Sequence, residues 1–300
     1  MTPAHPPAHP PARLLLGIAL AVAAVALFAL GDVMTKVLTD RQPVERIGAV
    51  RYGIGLMILL IFVAPRLGPR LWQVTRPGMV LIRSLTLTFA TLIIGYALRL
   101  MPVGETIAIM YLAPFAVMVL AVPLLGEKVT RAGWIFAALG FAGVLLIVRP
   151  GAALNPAGVG LALLLAAATT VFHLITRVLM RSESPVALLF HVNAVGAGFF
   201  ILAALPSWQA PLPGLIDGAM MVALGAIFTL GHFLFATAYR EAPTSLIAPV
   251  NYLHFVWAAL MGWAAFGHVP DGVTTAGMAL ILLSGIALAV QAHRLRETPV

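Results

Sequence analysis

The feature that most constrains this chain is a succession of apolar runs, each long enough to cross a bilayer. A spanning helix needs about 20 mostly apolar residues, and charged residues, prolines and glycines delimit ten such runs. Only 9% of the residues are charged, which is too few to cover the surface of a soluble domain. We therefore predict an all-α membrane protein with spans at 14–38, 45–64, 78–98, 103–125, 131–149, 156–180, 185–206, 214–238, 243–266 and 270–292.

The basic residues predict the orientation of these spans. If both termini are cytoplasmic, eleven Lys and Arg residues lie on the cytoplasmic side and five on the outer side. Because basic loops are retained in the cytoplasm, we expect both termini there. The net charge of +8 does not indicate nucleic-acid binding, since the basic residues are dispersed among short loops and form no continuous patch.

A second constraint is an internal repeat with a shift of 141 residues. The sequence TKVL at 35–38 returns as TRVL at 176–179, and Tyr111–Leu112 returns as Tyr252–Leu253. Each copy contains five predicted spans, so the second copy enters the membrane from the opposite side. Inverted repeats of this kind build many secondary transporters, whose substrate sites lie near the midplane between the copies. We predict ten transmembrane helices as two inverted five-helix repeats around a central cavity, with a disordered tail at 1–13, repeats at 14–149 and 156–292, and a tail at 293–300.

Residues 104–148 resemble the EamA-type module of the drug/metabolite transporter superfamily. The resemblance includes Gly126–Glu127 at the end of the fourth span and Arg51–Tyr52 in the second, and it covers the chain as two modules. It implies ten helices, a central cavity, a bacterial cytoplasmic (inner) membrane and metabolite export, with aromatic amino acid exporters as the member type it suggests. The second copy departs from the pattern at Gly267–His268, so Glu127 is predicted to be a packing or loop-capping residue.

The ninth span carries the richest set of polar and aromatic side chains. Asn251, His254, Trp257 and Met261 share about a third of the helix circumference. An amide and an imidazole at mid-depth do not suit a lipid-facing stripe, and these groups fit a small zwitterion with an apolar side chain. We predict that the stripe lines a cavity, with polar contact between helices as the alternative. His173, His232 and the equivalent tyrosines Tyr111 and Tyr252 complete the predicted substrate-binding residues.

Prolines in the fourth and ninth spans predict breaks in those helices. Pro114 and Pro249 cannot donate a backbone hydrogen bond, so each leaves a carbonyl free one turn earlier, at Met110 and Ser245. Such a carbonyl could meet a substrate amine or water. A structural kink without a role in binding is the alternative.

Ionisable side chains within spans are costly and are candidates for coupling or charge recognition. Asp32 lies four residues before Lys36, so the two are predicted to form an ion pair, unless Asp32 handles a substrate ammonium group or a proton. Lys36 and Arg177 lie near span ends, from which they can reach the headgroups. Two further arginines, in spans 2 and 3, could reach the surface, pair within the bundle, or attract a substrate carboxylate: Arg51 and Arg83.

These features favour a secondary transporter that exports amino acids with aromatic or other apolar side chains by alternating access. A multidrug, purine or other metabolite exporter of the same superfamily is the alternative. An intramembrane enzyme is disfavoured, because no nucleophile with a base and no ligand-spaced His, Asp or Glu cluster is visible.

The predicted partners follow from the same features. They are a small-molecule substrate and the lipid bilayer, without nucleic acid, metal or cofactor. Glycines in spans 5 and 10 allow close helix approach, which suggests scaffold helices or a homodimer face.

Overall fold

The computed structural model describes residues 11–126, 129–149, 154–209, 211–242, 247 and 250–297, and all regular structure in these ranges is helical. In the first half the helices are α1 (Pro11–Thr39), α2 (Val44–Ile58), α3 (Ala64–Leu67), α4 (Pro77–Leu100), α5 (Val103–Met110), α6 (Ala113–Leu125) and α7 (Arg131–Val148). In the second half they are α8 (Pro156–Leu179), α9 (Pro185–Ala204), α10 (Leu215–Glu241), α11 (Leu253–Phe266) and α12 (Gly272–Glu297).

Within the described ranges, nine helical segments are long and apolar enough to cross a membrane. The ninth predicted span, 243–266, is represented by α11, an apolar helix of 14 residues, and part of the chain before it lies outside the description. α1 begins at Pro11 and α12 continues to Glu297. A multi-pass helical membrane protein is confirmed.

Local sequence explains where several helices begin and end. Proline occupies the first turn of α4, α8 and α9, where its missing N–H costs nothing and its fixed φ suits a helix. Asn155 caps α8 by accepting hydrogen bonds from the amides of Ala157 and Gly158. Both Gly126 and Gly267 end their helices with φ of 68°, a conformation that glycine adopts without strain. This requirement accounts for the glycine that recurs in both halves.

The helices pack in a regular set of pairs. Extensive contacts join α1 to α10, α4 to α8, α2 to α9, and α7 to α12, while α11 packs against α1 and α5. The largest buried cluster lies among α5, α6, α7, α11 and α12 and includes Ile107, Phe115, Ile147 and Ile281. Helix pairs formed by one member from each half of the chain therefore make up most of the bundle.

The α7–α12 pair depends on small residues. A Cβ added at Gly143 would lie 2.7 Å from the carbonyl oxygen of Gly277, and a Cβ at Gly277 would lie 2.6 Å from the carbonyl oxygen of Gly143. The two backbones thus touch within one chain. Gly140 faces Phe115 and Gly285 faces Tyr252 in the same way, so these glycines are occupied by intramolecular contacts.

Two connections tie neighbouring helices at opposite ends of the bundle. At one end, Asp217 in the first turn of α10 accepts hydrogen bonds from Arg41 at 3.3 Å and Gln42 at 3.2 Å. We call this contact the Asp217 tie.

At the other end, Glu183 accepts hydrogen bonds from the amides of Thr75 and Arg76, just before α4. Burial opposes ionisation of this carboxyl, but hydrogen bonds from Thr75 and Arg76 prevail and hold the pKa of Glu183 below its ordinary value. We call this contact the Glu183 tie.

The helix of the fourth span is interrupted at its centre. α5 ends at Met110, Tyr111 and Leu112 form a turn, and α6 follows with Pro114 in its first turn. Tyr252 occupies the equivalent place, immediately before α11. The expectations for Glu127, Ser245 and Pro249 lie outside the described residues.

Candidate functional site

A buried carboxylate–imidazole pair lies between α1 and α11. A hydrogen bond of 2.9 Å joins His254 Nε2 to Asp32 Oδ2, and the two residues are only 8% and 4% exposed. A carboxylate buried in an apolar bundle needs such a partner, because removing its charge from water is costly. The pair brings together one residue from each half of the chain.

The predicted ion pair between Asp32 and Lys36 is wrong. Lys36 Nζ instead donates hydrogen bonds to the carbonyl oxygens of Leu98 at 2.6 Å and Met101 at 2.8 Å. The last carbonyls of a helix lack partners and carry partial negative charge, so the end of α4 attracts the ammonium group away from Asp32. Lys36 also lies 5.5 Å from the ring centre of Phe266. These contacts hold Lys36 Nζ against the end of α4.

Aromatic rings surround the Asp32–His254 pair. The ring of Phe28 lies between two imidazoles, with centroids 4.9 Å from His232 and 6.1 Å from His254. Phe228 lies 6.1 Å from Phe28, and the guanidinium of Arg51 stacks over Phe228 at 3.6 Å. Such stacking is favourable for a cation with little access to water. We call Phe28, Asp32, Arg51, Phe228, His232 and His254 the central cluster.

Reciprocal glycines make room for the rings of the central cluster. A Cβ added at Gly31 of α1 would lie 2.6 Å from the Phe228 ring of α10. A Cβ added at Gly231 of α10 would lie 2.6 Å from the Phe28 ring of α1. Each helix therefore provides a notch for the phenylalanine of the other, which sets the spacing of α1 and α10 beside Asp32.

Tyr111 connects the interrupted fourth span to the central cluster. Its ring lies 6.0 Å from His254, and its hydroxyl donates a hydrogen bond to the backbone carbonyl of Asn251. Tyr252 lies 5.3 Å from Tyr111 but packs against Gly285 of α12. Only Tyr111 of the two predicted tyrosines thus contacts the His254 side of the site.

A small cavity adjoins the central cluster. It has a volume of about 20 Å³ and is lined by residues that include Arg51, Tyr52, Asn193, Thr229 and His232. This is space for about one water molecule.

The remaining predicted residues are distributed over other contacts. Arg83 donates to the Thr176 hydroxyl at 2.7 Å and lies 4.4 Å from the Phe172 ring. Next to that ring lies His173, so these residues belong to the α4–α8 interface. Three predicted residues pack against the largest buried cluster, namely Met110, Trp257 and Met261, and Asn251 is half-buried. Of the predicted stripe, His254 bonds to Asp32 of α1, while Trp257 and Met261 pack against the largest buried cluster.

Sequence reasoning missed a second polar group near the end of the bundle. Glu105 in the first turn of α5 is 2% exposed and forms a 2.7 Å hydrogen bond with His268 Nε2. Both residues line a cavity of about 220 Å³. Two signals were visible in the sequence: an acidic residue inside a predicted span, and the histidine that replaces the expected glutamate after Gly267.

Comparison with known proteins indicates the type of protein. Residues 15–149 match the model of the EamA-like transporter family. An S-adenosylmethionine uptake transporter of Rickettsia bellii is 27% identical over 89% of this chain and 91% of its own. A riboflavin transporter of Vibrio cholerae is 28% identical over 93% and 92%. A pseudopaline exporter of Pseudomonas aeruginosa is 25% identical over 91% and 95%.

The fold is similar to that of a solved structure. One crystal structure superimposes with a TM-score of 0.66 at 20% sequence identity, over 96% of this chain and 99% of the other. The names of the relatives above do not point specifically to amino acids. Together, the helical bundle, the family match over residues 15–149 and relatives aligned over about nine-tenths of the chain describe a multi-pass membrane protein that is similar to transporters of the EamA-like family.

Proposed function

We propose that this protein is a secondary transporter that exports small metabolites by alternating access, and that amino acids with aromatic or other apolar side chains are among its substrates. The observation that carries the proposal is the Asp32–His254 pair, enclosed by aromatic rings between α1 and α11. A carboxylate, an imidazole and the Arg51 guanidinium offer partners for both charges of a zwitterion. The rings of Phe28, Phe228 and Tyr111 offer surface for an apolar side chain.

We propose further that the chain consists of ten transmembrane helices in two inverted repeats. Equivalent positions 141 residues apart make equivalent contacts, which supports this arrangement. Gln42 and Glu183 are equivalent, as are Arg76 and Asp217, and Gln42 contacts Asp217 while Glu183 contacts Arg76. α1 packs against α10, and the equivalent helices of the opposite halves, α8 and α4, pack against each other.

Counterflow in proteoliposomes tests the substrate class. Vesicles loaded with unlabelled phenylalanine, tryptophan, threonine or methionine should accumulate the labelled form of the same amino acid, and protein-free vesicles should not. If none of the four exchanges, the amino acid proposal is wrong. Each vesicle preparation should also be measured with S-adenosylmethionine, so that a failure with amino acids is not confused with inactive protein.

S-adenosylmethionine is a second candidate substrate. Its support is the similarity to the uptake transporter of Rickettsia bellii over nearly the whole of both chains. Exchange of this compound without exchange of free amino acids would favour the second candidate over the first.

Substitutions in the central cluster test the location of the site. His254→Ala should reduce the exchange rate strongly, because it leaves the Asp32 carboxylate without its partner. His191→Ala is the matched control, since His191 bonds to the Ala187 carbonyl of its own helix. Asn251→Ala and Trp257→Ala should also reduce exchange. Normal exchange in all three site variants would place the substrate elsewhere.

The proposed orientation has both termini in the cytoplasm. The chain contains no cysteine, so single cysteines report without interference. A cysteine at Ser207 should react with an impermeant reagent added outside intact cells, and a cysteine at Ser182 should not. The reverse pattern would contradict the orientation.

A further inference from the structure

The cavity that contains Glu105 lies apart from the central cluster, at the end of the bundle where α4 meets α5 and α11 meets α12. Its volume is about 220 Å³, compared with about 20 Å³ for the cavity beside the central cluster. Its lining includes Lys36, Leu100, Glu105, Trp263, Phe266 and His268. We call it the Glu105 cavity.

Glu105 has one oxygen without a partner. Its Oε1 is bonded to His268, while Oε2 is buried and has no hydrogen-bond partner among the residues that the structure describes. Leaving a buried acceptor unpaired costs about 1–3 kcal/mol, and more for a charged group. The Glu105 side chain is 3% exposed and lines the cavity, so Oε2 can accept a hydrogen bond from a molecule inside it once the carboxylate turns toward that space.

The groups around Glu105 define the chemistry of such a molecule. An ionised carboxylate only accepts hydrogen bonds, so the molecule must donate one, and an ammonium group does so with the advantage of opposite charge. Lys36 lines the same cavity and uses two of its three N–H donors on the end of α4. The third is suited to a carboxylate, and a simple cation would be repelled by Lys36.

The walls of the cavity are partly aromatic. Trp263 and Phe266 line it, with 54% and 37% of their surfaces exposed. Exposed rings beside a charged pair suit a ligand with an apolar side chain next to its charged end. The thioether of methionine contacts aromatic rings favourably, which makes methionine a suitable probe.

We propose that the Glu105 cavity is a second binding site, separate from the central cluster, for the amino acid end of a small zwitterion. The ammonium group is held by Glu105 Oε2 and the carboxylate by Lys36, with the side chain against Trp263 and Phe266. The assignment rests on the proposed function in its choice of substrate class. It adds a place where substrate is held near one end of the bundle.

The experiment measures protection of a cysteine by ligand. Leu100 lines the cavity and is 40% exposed, so Leu100→Cys in this cysteine-free chain reports on occupancy. With purified protein in nanodiscs, saturating L-methionine should slow modification of this cysteine by a thiol reagent about tenfold. N-acetyl-L-methionine, which lacks the ammonium group, should give no protection. If both compounds protect the cysteine equally, or if neither protects it, the proposal is overturned, and no further variant is needed to decide this.

Substitution of the carboxylate locates the contact. In the Leu100→Cys background, Glu105→Gln should raise the concentration of methionine needed for half protection about tenfold, because the ionic part of the contact is lost. Glu45→Gln is the matched control: Glu45 is a half-buried carboxylate, bonded to the Tyr96 hydroxyl outside this cavity. Unchanged protection in Glu105→Gln, or an equal loss in Glu45→Gln, would overturn the assignment.

The two proposals fail in different ways. If vesicles show no amino acid exchange but methionine protects the cysteine in a Glu105-dependent manner, the proposed transport function is wrong and the binding site stands. If exchange is normal and protection is absent, only the second site is wrong.

Discussion

The bond between Asp32 and His254 can be measured by a double-mutant cycle. The variants are Asp32→Ala, His254→Ala and the double variant. Both side chains are almost fully buried, at 6% and 10% exposure, and their atoms are 2.9 Å apart. A hydrogen bond to a charged group contributes about 1.5–3 kcal/mol, and removing one partner of a buried pair costs about 3–5 kcal/mol because the other remains unpaired. The double variant leaves neither group unpaired.

We therefore expect the double variant to be more stable than the sum of the two single effects by about 1.5–3 kcal/mol. The assay is SDS-induced unfolding of protein in mixed micelles, followed by circular dichroism, which gives the free energy of unfolding for each variant. A parallel cycle of Asp32→Ala with His191→Ala should be additive to within about 0.5 kcal/mol, because His191 is bonded within its own helix. Additivity in the Asp32–His254 cycle as well would refute the view that this pair stabilises the bundle.

Three further outcomes are expected. Tyr111→Phe should reduce the free energy of unfolding by about 1–3 kcal/mol, because the backbone carbonyl that accepts its hydroxyl loses a partner; an unchanged value contradicts that bond. Gly231→Ala should lower the free energy of unfolding by about 1–3 kcal/mol, since its Cβ would lie 2.6 Å from the Phe28 ring. Gly218→Ala in the same helix meets nothing within 4 Å, so it should leave the free energy of unfolding unchanged or raise it. Equal effects of the two substitutions would contradict the close contact between Gly231 and Phe28. The pKa of Glu183 is lowered by hydrogen bonds in the folded state. Its contribution to stability is therefore present above the ordinary glutamate pKa and is lost as the pH falls through the lower folded value. If the free energy of unfolding of Glu183→Gln falls with acid as much as that of the parent, this role is contradicted.

The architecture could largely be predicted from the sequence, because the constraints that set it are local. Apolar runs of bilayer length can only be helices in lipid, and nine such segments are found within the described residues. The repeated glycines could be read in the same way. Gly126 and Gly267 recur because each helix end requires a positive φ, a property of a single residue and its neighbours.

The partners of the charged side chains could not be predicted, because they depend on distant parts of the chain. Spacing along α1 favoured Lys36 as the partner of Asp32, yet the end of α4 provides two carbonyls for the amine. His254, 222 residues away from Asp32, takes its place. Glu105 was missed for the same reason, since its importance appears only once a cavity lies against it.

The two ties at opposite ends of the bundle differ in strength, and this difference has a consequence for the resting state. The Asp217 tie is a surface contact in which the Arg41 side chain is 57% exposed, and exposed ion pairs contribute about 0–1 kcal/mol. The Glu183 tie is buried, at 7% exposure, and one carboxylate accepts hydrogen bonds from two successive amides. Both ties are formed in this structure. We expect thermal motion to break the Asp217 tie more often than the Glu183 tie.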